Sequence, residues 1–231
     1  MCNQLKIEFF KLYHFGLFYI AVICMAGLGF VYGNKLASLG FGIYDAFTEA
    51  NCDTSFMFIL ALVSSWFIGS DFSNRTIHHE ITLGYSRWSV LVVRELPVYL
   101  TAIALHFTYI IFTMLGVGIK TGFSCGMFGT QDLFWCITIL LQLISLQSII
   151  AFISFICAKA SAAIAASTCF IFITCNVLRN FLEGRIFTRS VFCLSQDNTF
   201  DNLIYTSAVA VLTLVVTIFL TYLVLRKKEI N

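Results

Sequence analysis

Few residues of this chain stand in a pattern that could perform a reaction. The run Gly122-Phe123-Ser124-Cys125-Gly126 matches G-x-S-x-G, the nucleophile elbow of many hydrolases. That elbow needs a strand-to-helix turn and a histidine within reach, whereas His106 lies roughly 24 Å away along a predicted helix. We therefore predict that the chain has no catalytic residue of its own.

Two other patterns bear on metal and nucleotide binding. His78-His79-Glu80 offers metal-binding side chains, but adjacent helical residues point about 100° apart and the H-E-x-x-H spacing of zinc enzymes is absent. None of the 14 glycines is followed by lysine, so the sequence has no G-x-x-x-x-G-K-[ST] phosphate loop. We predict no metal or cofactor site, and expect any ATP that drives the protein to be bound by another chain.

The composition indicates a membrane protein. Of the 231 residues, 59% are hydrophobic and only 11% are charged, and the mean hydropathy is +0.90. Soluble domains carry about 25% charged residues, so this chain has too little polar surface to cover a soluble core. The net charge of +2 comes with no basic stripe interleaved with aromatics, which argues against a nucleic-acid partner.

Uncharged apolar runs of about 20 residues predict an all-α, polytopic protein with six transmembrane helices. They contain no Asp, Glu, Lys or Arg. His106 is their one histidine, and we expect it to be neutral and hydrogen-bonded to a neighbouring helix. The predicted spans lie near 15–33, 54–69, 96–117, 133–157, 160–177 and 203–225.

The positive-inside rule orients these spans. Nine of the 14 lysines and arginines fall on the side that holds both termini, which predicts cytoplasmic termini in a multi-pass protein of the plasma membrane. The outer segment 178–202 carries three arginines against this rule. Cys52, Cys125 and Cys193 would face outward, and a disulfide between two of them is left open.

Three segments outside the spans have features of their own. Residues 3–13 predict a short amphipathic helix that lies along the inner membrane surface. Segment 70–95 predicts a short surface helix, a turn and an elbow into the third span. In it, Ser73 or Asn74 would cap the helix, Gly84 would end it, Ser86 would start the next and Pro97 would lie in the first turn of the third span. Segment 178–202 predicts either short outer helices or a solvated loop.

Small residues indicate faces where helix backbones approach closely. Gly29 and Gly33 are spaced as G-x-x-x-G, and Ala162 and Ala166 repeat this spacing in the fifth span. Thr138, Gln142 and Ser145 share one face of the fourth span. For all of these, packing within one chain and packing against another chain remain open.

This organisation resembles the membrane subunits of ABC transporters of the ABC-2 (type V exporter-like) permease family. The resemblance is carried by the stretch GSDFSNRTIHHEITLGYSR at 69–87 and by the basic ending LRKKEI at 225–230. The stretch is similar to a family pattern of an acidic residue, Gly-Thr, a short helix and Pro-x-Ser-Arg. Thr76 and the pair Ser86-Arg87 fit it, whereas Asp71 stands where Glu is common, Arg75 where Gly is common, and Tyr85 departs from the proline pattern.

The resemblance implies a permease subunit that works as a dimer, homomeric or heteromeric, with two separate cytoplasmic ATPases, which bind ATP and magnesium. It also implies that the permeases meet near spans one and five, where Gly29, Gly33, Ala162 and Ala166 lie. Small members of this family often export, or give immunity to, antimicrobial peptides, so a peptide or amphiphilic substrate moved outward is expected. The residues expected to couple to the ATPase are Arg75, Thr76, Ile77, His78, His79, Glu80 and Ile81, with Ile77 and Ile81 as apolar anchors.

Two rival functions remain. One is a membrane immunity or scaffold protein that binds a partner without transport. The other is an intramembrane hydrolase, which would need paired carboxylates or a Ser/His pair at matched depth in the predicted spans.

Overall fold

The computed structural model describes residues 2–123, 129–174 and 200–228, and within these ranges the chain is entirely helical, without a strand. Its helices are α1 Cys2–Tyr13, α2 Gly16–Ser38, α3 Ile43–Cys52, α4 Met57–Ser73, α5 Thr76–Thr82, α6 Arg87–Thr121, α7 Thr130–Cys157, α8 Ala160–Phe172 and α9 Phe200–Lys228.

Several of these helices are long and apolar enough to cross a membrane. Four pass by length and composition, namely α2, α6, α7 and α9, and the pair α3–α4, bent by 49°, makes a fifth if it counts as one span. α8 has 13 described residues and is shorter than the roughly 20 that a span needs. The chain is therefore a helical membrane protein with four or five candidate spans in its described part, and six spans remain a prediction.

The helices pack in neighbouring pairs. α2 runs along α6, α9 along α7 and α4 along α8, while α7 also contacts α4 and α6. The main apolar core lies between α2, α3, α4, α6 and α7. Large apolar side chains on the outward sides of α2 and α9, such as Ile23 and Phe219, are 71% and 59% exposed, as expected for surfaces that face lipid.

Three sequence predictions about segment 70–95 meet different outcomes. Gly84 has φ +88 directly after the α5 cap, and the Ser86 side chain caps α6 by accepting a hydrogen bond from Ser89 N at 3.2 Å, so both are confirmed. The predicted cap at Ser73 or Asn74 is wrong: α4 continues through Ser73, and the N-cap of α5 is Arg75.

The elbow predicted between the helical start at Ser86 and the third span is absent, because α6 runs as one helix from Arg87 to Thr121 with Pro97 inside it. Proline inside a helix removes one backbone hydrogen bond, a loss that neighbouring helices can compensate in a membrane protein. α6 begins nine residues before the predicted start of the third span. Arg94 and Glu95 therefore lie in the same helix as that span. The predicted outer helical segment 178–202 lies outside the described residues except for its last three positions.

Candidate functional site

α5 lies at the end of the bundle where α1, the end of α4 and the start of α6 meet, and we call this the α5 end. The seven residues predicted to couple to an ATPase all lie on or next to this short helix. Arg75, His78 and His79 are exposed, whereas Thr76, Glu80 and Ile81 are partly buried. Ile77 is only 3% exposed and belongs to the apolar cluster beneath α5.

The burial of Ile77 conflicts with its predicted use as an anchor in an ATPase cleft. Its side chain is already packed against the chain's own core, and Ile81 packs partly against the same cluster. The spacing of these two isoleucines indicated one helix face correctly, but that face is turned inward. The side chains that α5 offers to a partner are those of Arg75, His78 and His79.

The entry into α5 requires an unusual backbone conformation. Arg75, between α4 and α5, has φ 55 and ψ 19, in the left-handed region that side chains other than glycine rarely adopt. This conformation costs roughly 1–2 kcal/mol in a residue with a Cβ atom. The connection between α4 and α5 therefore passes through a strained residue.

A buried group of charged side chains connects α5 with the rest of this end, and we call it the charge cluster. Its members come from four helices, and most are nearly inaccessible: Arg94 is 0%, Asp71 1% and Glu8 2% exposed. The cluster consists of Glu8 and Lys11 from α1, Asp71 from α4, Glu80 from α5 and Arg94 from α6.

The Arg94 guanidinium contacts all three carboxylates of the cluster. Its Nη1 donates a hydrogen bond to Glu8 Oε1, and its Nη2 donates one to Glu80 Oε1 at 2.9 Å. Its Nε lies 3.0 Å from Asp71 Oδ2, as an ion pair without hydrogen-bond geometry. A planar, forked cation suits this role because its donors point in fixed and different directions.

Lys11 is the second cation of the cluster. Its ammonium donates a hydrogen bond to Asp71 Oδ1, lies 3.8 Å from Glu8 Oε2 and sits 4.5 Å from the centre of the Phe67 ring. Three carboxylates thus share two cations, which leaves one excess negative charge if all are ionised. Burial and the Asp71 carboxylate raise the pKa of Glu80, while the Lys11 ammonium acts in the opposite direction.

The charge cluster is a direct connection between four helices. Burying several charges costs desolvation energy, so such a group stabilises little compared with an apolar core, but removing one partner is expensive. One guanidinium joins α1, α4 and α5 to α6. Glu80 and Arg94 thus connect α5 directly to α6.

Sequence reasoning missed this cluster. The pairs Arg94–Glu8 and Lys11–Asp71 are separated by 86 and 60 residues in the chain, so no local spacing reveals them. The one available signal was the accumulation of charges in segment 70–95 beside a charged N-terminal helix. Which of those charges pair depends on how α1 folds back onto α6.

The small residues of α2 lie against α6 within the same chain. A Cβ atom built on Gly29 would come 2.5 Å from the backbone oxygen of Tyr109, and one on Gly33 would overlap the backbone of Thr113. In α8 the residues that turn inward are Ala163 and Ser167, while Ala162 is exposed and Ala166 partly buried. Of the two small-residue faces, only that of α8 therefore remains open on the described surface.

Two polar side chains inside the bundle have hydrogen-bond partners on neighbouring helices. His106 is buried, and its Nε2 lies 3.2 Å from Asn51 Oδ1 of α3, so the predicted hydrogen bond to another helix is present. Gln147 of α7 donates to Ser64 Oγ of α4 at 2.6 Å. Thr138, Gln142 and Ser145 are all buried, which places their common face inside the bundle.

The described residues offer little for metal or thiol chemistry. Within them no group of three or more His, Cys, Asp or Glu is arranged to hold a metal ion. His78 and His79 are exposed while Glu80 turns toward Arg94, so the three do not converge. Cys52 is partly buried, and Cys125 and Cys193 lie outside the described residues, as does Ser124 of the G-x-S-x-G run.

Comparison of the chain with protein-family models, with curated proteins and with solved structures finds no match.

Proposed function

We propose that this chain is the permease subunit of an ATP-driven ABC exporter of the ABC-2 (type V exporter-like) family, and that α5 is the helix that couples it to a separate cytoplasmic ATPase. The proposal rests on one observation: α5 has one exposed side and one buried side. His78 and His79 face outward, while Glu80 is hydrogen-bonded to Arg94 of α6. A partner that moves α5 would thus move a membrane helix.

A second observation supports the resemblance at one residue. Arg75 occupies the position where glycine is common in the family, and it adopts a left-handed conformation that glycine accepts without strain. A sharp turn between a span and a coupling helix would explain both observations: the glycine that is common in the family and the left-handed residue in this chain. Arg75 keeps the turn despite its side chain.

The wider proposal contains six spans, both termini in the cytoplasm and insertion in the plasma membrane. Two permease copies, identical or different, would work with two ATPases and move a peptide or amphiphilic substrate outward. Because α6 covers Gly29 and Gly33, we assign the contact between permeases to the α8 face that includes Ala162. Export of, or immunity to, antimicrobial peptides is the expected setting.

Co-purification tests the proposal. Tagged full-length chain is purified from its native host, and the capture of a phosphate-loop ATPase and its ATP hydrolysis are measured. The double variant His78→Glu/His79→Glu changes only exposed side chains of α5, so it should fold and lose capture at least tenfold, which corresponds to about 1.4 kcal/mol. Arg226→Gln/Lys227→Gln, at two exposed positions near the end of α9, is the control and changes the net charge by the same amount.

Either of two results would reject the coupling role: no phosphate-loop protein binds the wild-type chain, or the double variant binds it as well as the control does. Capture without stimulated ATP hydrolysis in vesicles would favour the rival function of a membrane scaffold or immunity protein.

A further inference from the structure

α1 is amphipathic, but its apolar face turns away from the protein and its polar face turns toward it. Two of its polar residues turn toward the protein, where Gln4 is 6% and Glu8 2% exposed. Three of its large apolar residues turn away from the protein, where Ile7 is 63%, Phe10 67% and Tyr13 70% exposed. In a soluble protein the two faces would be reversed, because large apolar side chains are costly to expose to water.

The outward face of α1 continues the lipid-facing side of α2. Only two residues separate Tyr13, the last of α1, from Gly16, the first of α2. Tyr19 Oη of α2 donates a hydrogen bond to the backbone oxygen of Tyr13 at 2.9 Å, and the rings of these tyrosines lie 6.3 Å apart. Ile20, the next residue along α2, is 58% exposed. Exposed apolar side chains therefore lie on α1 and on the adjoining first turns of α2, with the exposed His14 between them.

The chemistry of this face fits the boundary between lipid headgroups and acyl chains. Tyrosines are enriched at that depth because one end of the ring is apolar and the other polar. Lys6 is exposed on the outward side of α1, where its ammonium can reach anionic headgroups. A soluble protein partner could cover the same side chains only by displacing lipid from the first turns of α2.

We propose that α1 is a lipid-bound latch for α5. The bilayer holds the outward face of Ile7, Phe10 and Tyr13, while the inward face holds Arg94 through Glu8. Arg94 in turn binds Glu80, so the position of α5 depends on α1 being seated in the membrane. This inference concerns the permease chain alone and holds with or without the proposed ATPase.

Photo-crosslinking tests the occupant of the outward face. p-Benzoylphenylalanine replaces Phe10 in the full-length chain, which is reconstituted in vesicles of phosphatidylethanolamine and phosphatidylglycerol, and adducts are identified by mass spectrometry. Ile23, in the middle of α2, is the positive control, and Leu83, 76% exposed at the end of α5, is the negative control. We expect lipid adducts at Phe10 comparable to those at Ile23 and at least fivefold above those at Leu83.

Two results would overturn the lipid assignment: adducts of Phe10 with a second copy of the chain in place of lipid, or a lipid yield no higher than at Leu83 while Ile23 reacts normally. Neither result involves an ATPase, so failure here is distinct from failure of the proposed function.

Hydrogen exchange tests the latch. In the same vesicles the double variant Ile7→Asp/Phe10→Asp should expel α1 from the lipid boundary while leaving its inward face intact. We expect the amides of α5 to exchange at least tenfold faster than in the wild type. The control Leu212→Asp introduces a charge at a lipid-facing position of α9, which is 61% exposed and far along the chain from α5. Exchange in α5 that is unchanged in the double variant, or equally accelerated in the control, would refute the latch.

Discussion

Replacing Arg94 by methionine should reveal how strongly the charge cluster holds the α5 end together. The variant Arg94→Met keeps most of the side-chain volume but removes the two hydrogen bonds to Glu8 and Glu80 and the 3.0 Å ion pair to Asp71. Lys11 can still compensate one of the three carboxylates. Breaking a buried ion pair by removing one partner typically costs about 3–5 kcal/mol, and we expect a loss in that range.

The cost of protonating one carboxyl gives an independent estimate of the same loss of stability. The folded variant can relieve its excess charge by protonating a carboxyl, and a glutamate with an ordinary pKa near 4.3 costs roughly 3.7 kcal/mol to protonate at pH 7 but only about 1 kcal/mol at pH 5. Its folded state then binds more protons than its unfolded state, so the stability of the variant rises as the pH falls. The deficit relative to the wild type should therefore shrink by about 2 kcal/mol or more between pH 7 and pH 5.

Thermal and denaturant unfolding of the full chain in detergent micelles at both pH values measures these differences. Arg226→Met, which removes an exposed arginine near the end of α9, should change the free energy of unfolding by less than about 0.5 kcal/mol. An Arg94→Met variant within 1 kcal/mol of the wild type at pH 7, or a deficit that grows on acidification, would refute the description of the cluster as a buried, cation-dependent unit.

Three further substitutions test the packing and the backbone. Gly29→Ala should lower the free energy of unfolding by about 1–3 kcal/mol, because its Cβ atom meets the Tyr109 backbone at 2.5 Å, whereas Gly27→Ala, with nothing within 4 Å, should be neutral or stabilising; equal effects would contradict the α2–α6 contact. Arg75→Gly should be more stable than Arg75→Ala by about 1 kcal/mol, since both remove the charge but only glycine relieves the left-handed strain; equal melting curves would argue against that strain. Ala158→Gly, at φ 53 between α7 and α8, should raise the thermal midpoint for the same reason, and a lowered midpoint would contradict it.

Local sequence signals predicted much of the segment around α5. Gly84 and Ser86 act through their own backbone conformation or a hydrogen bond three residues away, so the sequence holds all the information that these positions need. Apolar length predicted α2, α6, α7 and α9 as candidate spans for the same reason. The Ser86 signal also predicted where α6 starts, but the charges of Arg94 and Glu95 gave no sign that both are buried in this helix.

The candidate site depends on contacts that no local pattern contains. From the sequence alone, Arg94 is one more basic residue on the inner side. Its burial depends on α1, which folds back and supplies Glu8. Ile77 is an apolar residue for which a local pattern is likewise insufficient. Its spacing with Ile81 defines a face, but whether that face meets a partner or the chain's own core is decided by neighbours distant in sequence.

The unequal burial of the Arg94 partners indicates which link of the cluster can open. The Glu8 side chain is 3% exposed, whereas that of Glu80 is 19% exposed, so Glu80 loses less solvation in the cluster and regains water more readily on leaving it. The excess negative charge also favours the departure of one carboxylate, because Arg94 and Lys11 then balance the two that remain. Of the three carboxylates, Glu80 therefore leaves Arg94 at the least cost, while Ile77 keeps α5 packed against α6 in the apolar cluster beneath it. An apolar cluster of the same size would lack this asymmetry, since every apolar contact would oppose the separation alike.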